Sequence, residues 1–228
     1  MKLNRTYRAA EEMPEVLPVF PVAGALLLPR RPIQLTVFEP RYLEMLDDAL
    51  TVERLIGMIQ PSEGDEAVEP APELCAVGCV GRVVQYAEIG DGRCFLTLMG
   101  VARFRVAGEI PSEKPYRTIR ADFSCFFDDF HEGAGENDVD RRSLVDTLRD
   151  FATANELKID WDDVEQASNE ALVNALSMMS PYGAREKQAL LEAADLKSRA
   201  EILVAISQIE LAKGADAPRQ LHLGDAAK

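Results

Sequence analysis

Ile33-Gln34-Leu35-Thr36-Val37-Phe38-Glu39-Pro40-Arg41-Tyr42 changes its periodicity in the middle. The residues up to Phe38 are, except for Gln34, β-branched or apolar and read as a strand. Pro40 then marks the first turn of a helix, where its missing N–H would have no partner in any case. Leu43, Leu46 and Leu50 follow at helical spacing and give that helix one apolar face to lay on the sheet. Glu39 stands at the helix start, where negative charge is favoured by the aligned peptide dipoles.

Upstream, Leu17-Pro18-Val19-Phe20-Pro21 is apolar and broken by prolines, which suits an edge strand. Leu26 to Leu28 is a further strand candidate. Pro29-Arg30-Arg31-Pro32 separates it from the strand at 33–38 and excludes a helix through the junction. Downstream, Arg54 to Gln60 reads as a strand and Pro61 to Pro72 as a flexible loop. Val77 to Tyr86 and Cys94 to Met99 flank the turn signal Gly90-Asp91-Gly92 and form a hairpin. Gly100 is expected to break the run before another strand, Arg103 to Ala107. Tyr116 to Phe127 reads as the last long strand. The sum is roughly six to eight short strands, a number consistent with a small barrel or a compact closed sheet.

After Asp140 the apolar spacing becomes helical. Leu144, Leu148 and Phe151 share a face, and Asp162 with Glu165 has the spacing of a capping box. Ala171, Leu172, Ala175, Leu176 and Met179 line the next helix, which Ser180-Pro181 stops. Glu186 to Ala194 is another, and Asp195 caps the last, with Ile202, Leu203, Ile206 and Ile209 on one face and Gly214 as its stop. The expected organisation is α+β: a β-rich amino-terminal part over 1–127, a linker over 128–140, a helical bundle over 141–214 and a flexible tail over 215–228.

The chain has 228 residues, 25 Lys and Arg against 39 Asp and Glu, and a formal net charge of −14. That excess of acid argues against nucleic acid and against anionic membranes as partners. Residues 121–170 hold 15 acids and four bases, which reads as a solvated helical surface with an exposed loop. No apolar stretch at the start suits a signal peptide and none is long enough to cross a bilayer, so a cytoplasmic location is expected. Cys75, Cys79, Cys94 and Cys125 are expected as free thiols. Cys75 and Cys79 lie in or beside an alternating run, and His131 and His222 are the sole histidines, so no metal site and no cofactor are expected.

Three segments in order carry a resemblance. Leu17-Pro18-Val19-Phe20-Pro21-Val22 with Leu28-Pro29 and Val37-Phe38-Glu39-Pro40-Arg41-Tyr42 resembles the opening of Lon protease substrate-binding domains. Gly78-Cys79-Val80-Gly81-Arg82-Val83-Val84-Gln85 with Gly100-Val101-Ala102-Arg103-Phe104 is similar to that family's hairpin and the GxxRF that follows it. Glu186-Lys187-Gln188-Ala189-Leu190-Leu191-Glu192-Ala193 with Arg199-Ala200 is similar to its EKQ-LLE segment. Pro29-Arg30-Arg31-Pro32 departs from the family, which often has a glycine-containing turn there. The resemblance covers about residues 16–212. It implies a PUA-like β-barrel followed by a helical bundle, and binding of exposed apolar segments of unfolded polypeptides.

A full Lon protease also carries an ATPase module and a Ser-Lys peptidase module. This sequence has no G-x-x-x-x-G-K-[ST] loop to cradle phosphates and no G-x-S-x-G elbow, and its 228 residues leave no room for either module. The expectation is a non-catalytic module acting as an adaptor or regulator beside a separate protease. The residues the resemblance offers for peptide binding are Phe20, Leu28, Phe38, Arg41, Tyr42 and Arg103. For each there is a plainer reading. The apolar ones fill the core, and Glu39 pairs with Arg41 or Arg103 to tie an element down. Two rival functions stand beside this one: a small-molecule or enzymatic site in the cleft between barrel and helices, and RNA binding by analogy with other PUA-like folds.

Overall fold

The computed structural model describes residues 5–62, 72–154 and 159–216. Among these, six strands form one sheet: β1 (Val16–Pro21), β2 (Pro32–Val37), β3 (Leu55–Ile59), β4 (Val77–Glu88), β5 (Cys94–Ile110) and β6 (Thr118–Asp122). Helix α1 (Pro40–Thr51) interrupts them. The helices α2 (Arg141–Ala154), α3 (Trp161–Gln166), α4 (Asn169–Met179), α5 (Ala184–Glu192) and α6 (Leu196–Asp216) follow. The strand order is β2-β5-β4-β3-β1-β6, and β5 also pairs with β6.

The strand-to-helix junction forms as the sequence predicts. Glu39 is the N-cap residue in extended conformation and Pro40 opens α1. The hairpin also forms, with Gly90, Asp91 and Gly92 all at positive φ. Other elements differ from expectation. β1 is an interior strand, parallel to β3 through Val19, Phe20 and Pro21 and antiparallel to β6 through Val16, Leu17 and Pro18. The prolines are tolerated because the two pairings are staggered. Val19 N–H donates to Arg117 O on the β6 side and Val22 N–H to Ile59 O on the β3 side. By alternation, the donor that Pro18 lacks faces β3 before that pairing begins. The one that Pro21 lacks faces β6 after that pairing has ended.

Leu26, Leu27 and Leu28 form no strand; they are a buried loop, each 3% exposed or less. The loop crosses β5 at Gly100, where Arg30 N–H donates to Gly100 O and Gly100 N–H donates to Arg31 O. A Cβ on Gly100 would lie 2.0 Å from Leu28 O. Gly100 therefore does not break the strand; it admits a second backbone against a strand that runs on through it.

The strand expected to reach Phe127 stops at Asp122 and gives way to 3-10 turns over Ser124–Phe130. The stretch 128–140 buries Asp129 and Val139, and Val139 joins the main apolar core. Asp160, rather than an Asp162–Glu165 box, caps α3: its carboxylate accepts from Asp162 N–H at 3.0 Å and Asp163 N–H at 3.4 Å. Asp195 caps α6 by accepting from Ser198 N–H at 2.7 Å. That helix runs past Gly214 to Asp216. The loop expected at 61–72 lies mostly outside the described residues, as does the tail from 217 onward.

One apolar cluster joins both halves: Phe20, Leu28, Met45, Ile56 and Leu98 pack in the same core as Leu144, Val173, Leu190 and Leu203. A second cluster, including Leu17, Val19, Val80, Phe104 and Ile119, lies within the sheet part. No helix among the described residues is long and apolar enough to cross a membrane.

Candidate functional site

β2 pairs with β5 alone, through Pro32–Val37 against Cys94–Met99, so its other edge has no strand partner among the described residues. Phe38 follows directly and is 64% exposed. Glu39 and Arg41 pair with each other at 2.8 Å across the helix start. The Arg41 guanidinium lies 4.5 Å from the Tyr42 ring centroid, and Tyr42 packs at 4.4 Å from Phe20 in the interior. Only Phe38 and Arg41 of the six residues predicted for peptide binding therefore reach the surface. Phe20, Leu28, Tyr42 and Arg103 are buried.

Between α1 and the tip of the β4–β5 hairpin is an open groove of about 290 Å³. Register explains it. Leu35, Leu96 and Tyr86 lie opposite one another across β2, β5 and β4, as do Val37, Cys94 and Glu88, so all six side chains share one sheet face. α1 lays Leu43, Leu46 and Leu50 over the same face but leaves the hairpin tip uncovered. Tyr86 is half exposed there. Asp47, Glu88 and Arg93 complete the lining. Burial, and after it the negative charges of Glu88 and Asp47, push the Cys94 thiol above its usual range, while a backbone hydrogen bond from Ala87 works against them. On the outer side of α1, Lys114 pairs with Asp48 at 2.8 Å and Glu44 at 3.2 Å, and the Tyr116 hydroxyl donates to Asp48 at 2.7 Å. Burial and then that bond raise Tyr116 to about 12. Tyr86, Asp47 and Glu88 escape sequence reasoning because only the hairpin register and the angle of α1 bring them together.

Arg103 has a different role. Its guanidinium and backbone N–H both donate to Asp129, at 2.8 Å each at the closest. Its Nη1 donates to Leu191 O and Ala193 O of the helical half, and its guanidinium lies 4.3 Å from the Phe126 ring centroid. Beside it, Arg199 donates to Leu190 O and Asn174 Oδ1, and Arg30 pairs with Glu170. Burial, then the positive charge of Arg103, bring Arg199 down to about 10. A second clasp uses the EKQ segment. Lys187 Nζ donates to Gly24 O at 3.0 Å, Gln188 Nε2 donates to Val77 O at 3.1 Å, and Gln60 Nε2 donates to Ala184 O at 3.1 Å. The cleft at the Arg103 clasp holds about 40 Å³, against the several hundred Å³ typical of small-molecule sites. Four of its charged groups are spent in the pairs Arg103–Asp129 and Arg30–Glu170.

Cys79 is buried in β4, and the Cys75 Sγ lies 3.7 Å from Pro61 O. Among the described residues no group of three or more His, Cys, Asp or Glu is placed to hold a metal ion.

Comparison with known proteins agrees with this architecture. The model of the ATP-dependent protease La (LON) substrate-binding domain matches residues 16–207. Lon protease 2 of Myxococcus xanthus is 25% identical over 205 residues, covering 86% of this chain and 24% of that protein. Lon protease 2 of Sorangium cellulosum is 31% identical over 202 residues, covering 83% and 24%. The chain thus spans about a quarter of the length of these relatives. Its fold is similar to that of a Lon N-terminal domain protein from Xanthomonas campestris, with a TM-score of 0.59, 23% identity and coverage of 83% of this chain and 97% of the other. It is likewise similar to the N-terminal domain of a Mycobacterium avium complex Lon protease, with a TM-score of 0.60, 15% identity and coverage of 85% and 98%.

Proposed function

Because the chain belongs to the family of Lon protease substrate-binding domains, we propose that it binds extended, apolar segments of polypeptide and acts as an adaptor or regulator of proteolysis beside a separate protease in the cytoplasm. The observation that carries this reading is the open groove between α1 and the β4–β5 hairpin, walled by apolar side chains, in a sheet that also leaves one edge of β2 without a strand partner among the described residues. A strand edge offers main-chain hydrogen bonds to an added chain, and an apolar groove selects side chains. β2 supplies the edge, Phe38 and Arg41 its exposed end, and Leu43, Leu50 and Tyr86 the apolar walls. The ring of pairings β5–β4–β3–β1–β6–β5 supports a PUA-like pseudo-barrel as the rigid base, with the helical half docked on it. Phe20, Leu28, Tyr42 and Arg103 are buried and are read as structural rather than as ligand contacts.

Fluorescence anisotropy with unstructured peptides tests this, with an RNA oligonucleotide of matched length as control. Apolar-rich peptides should bind, while polar peptides and RNA should not. Tyr86→Ser should weaken binding about tenfold, the effect of losing one well-packed aromatic contact. Absence of binding by every peptide at high micromolar protein would overturn the reading.

A further inference from the structure

The groove between α1 and the hairpin tip is apolar in its walls and acidic at its rim. Asp47 projects from α1 and Glu88 from β4, and both line the groove and act on the same Cys94. Neither makes an ion pair among the described residues. The other carboxylates nearby are engaged. Asp48 and Glu44 hold Lys114, and Asp91 faces Arg93 at 3.6 Å. Arg93, the one cation in the lining, is thereby partly offset. The groove thus presents two carboxylates without an ion-pair partner, against one partly offset cation among its described lining residues, in a chain whose formal net charge is already −14.

Resting on the polypeptide-binding reading, we infer that the occupant of this groove is an apolar polypeptide segment flanked by lysine or arginine. The apolar residues replace water along Leu43, Leu46, Leu50 and Tyr86, and the flanking cations meet Asp47 and Glu88 at the rim. An acid-flanked segment would bring like charges together in the same place, so the two carboxylates act as a filter as well as an attraction. Partly exposed pairs contribute modestly and are screened by salt, so the preference should be a matter of several-fold and should fade at high ionic strength.

The test uses the full chain and three fluorescent peptides with one apolar core, flanked by lysines, by serines or by glutamates. At low salt the lysine-flanked peptide should bind on the order of threefold to tenfold more tightly than the serine-flanked one, and the glutamate-flanked one most weakly. The differences should shrink in 0.5 M salt, where the Debye length falls to about 4 Å. The double variant Asp47→Asn with Glu88→Gln should remove the ranking among the three peptides. Equal affinity for all three in the wild-type chain would overturn the charge preference and leave polypeptide binding standing. So would a ranking unchanged in the double variant. Failure of all three to bind would overturn both.

Discussion

At the residue scale the decisive side chain is Arg103. It is 2% exposed and Asp129 is 5% exposed, so each charge depends on the other. Removing one partner of such a pair leaves an uncompensated buried charge, at a cost of about 3–5 kcal/mol. Asp129→Ala should therefore lower the stability of the chain by that amount in urea denaturation. A loss within experimental error would mean that Arg103 is satisfied by the Leu191 and Ala193 carbonyls alone. Arg103 stands out in the sequence as a charge among apolar neighbours. Its partner does not, because Asp129 belongs to an acidic run that reads as solvated surface. Composition locates the charges of 121–170 but not the turn over Ser124–Phe130 that folds one of them inward.

At the element scale two glycines of the β4–β5 hairpin separate two kinds of constraint. Gly92 adopts φ +68° with nothing within 4 Å of an added Cβ, so Gly92→Ala costs only backbone strain, about 1–2 kcal/mol. Gly100 has no such φ, but its added Cβ would strike Leu28 O at 2.0 Å. Gly100→Ala must push the Leu26–Leu28 loop off β5, with a loss of about 3 kcal/mol or more from displaced backbone and core. Thermal unfolding of both variants should rank them in that order, and the reverse order would contradict the crossing described here. The hairpin was legible because its turn chemistry is local. The Leu26–Leu28 loop was not, since three consecutive leucines look the same in a buried strand and in a buried loop. The interior place of β1 was hidden for a related reason: the stagger that spares its prolines is set by β3 and β6, far away in sequence.

At the scale of the whole molecule the two halves share one core and two polar clasps. Such an arrangement should unfold in one transition. Trp161 reports on the helical half, and Cys79, buried in β4 with its thiol pushed up chiefly by burial, reports on the sheet. Trp161 fluorescence and mass-spectrometric detection of Cys79 alkylation should give coincident urea midpoints. A helical transition well separated from the exposure of Cys79 would show that the halves fold independently. The family resemblance placed its three motifs correctly in order, and the structure gives them a common physical meaning. Arg103 of the second motif and Lys187 and Gln188 of the third bond one half to the other, while Arg199 ties α6 to α4 and α5 within the helical half.

β5, 17 residues long, carries β4 along one flank. Its other flank is divided among β2 and the backbone just before it at 94–100, the Asp129 carboxylate at Arg103, and β6 at 105–110. These three attachments are counted off along a single unbranched ruler. Inserting or deleting one residue between Met99 and Arg105 would put at least one attachment out of step and turn alternate side chains to the wrong face. Among related sequences, changes in length should therefore gather in the hairpin turn at 89–93 and in the connection between β5 and β6, and spare the middle of β5.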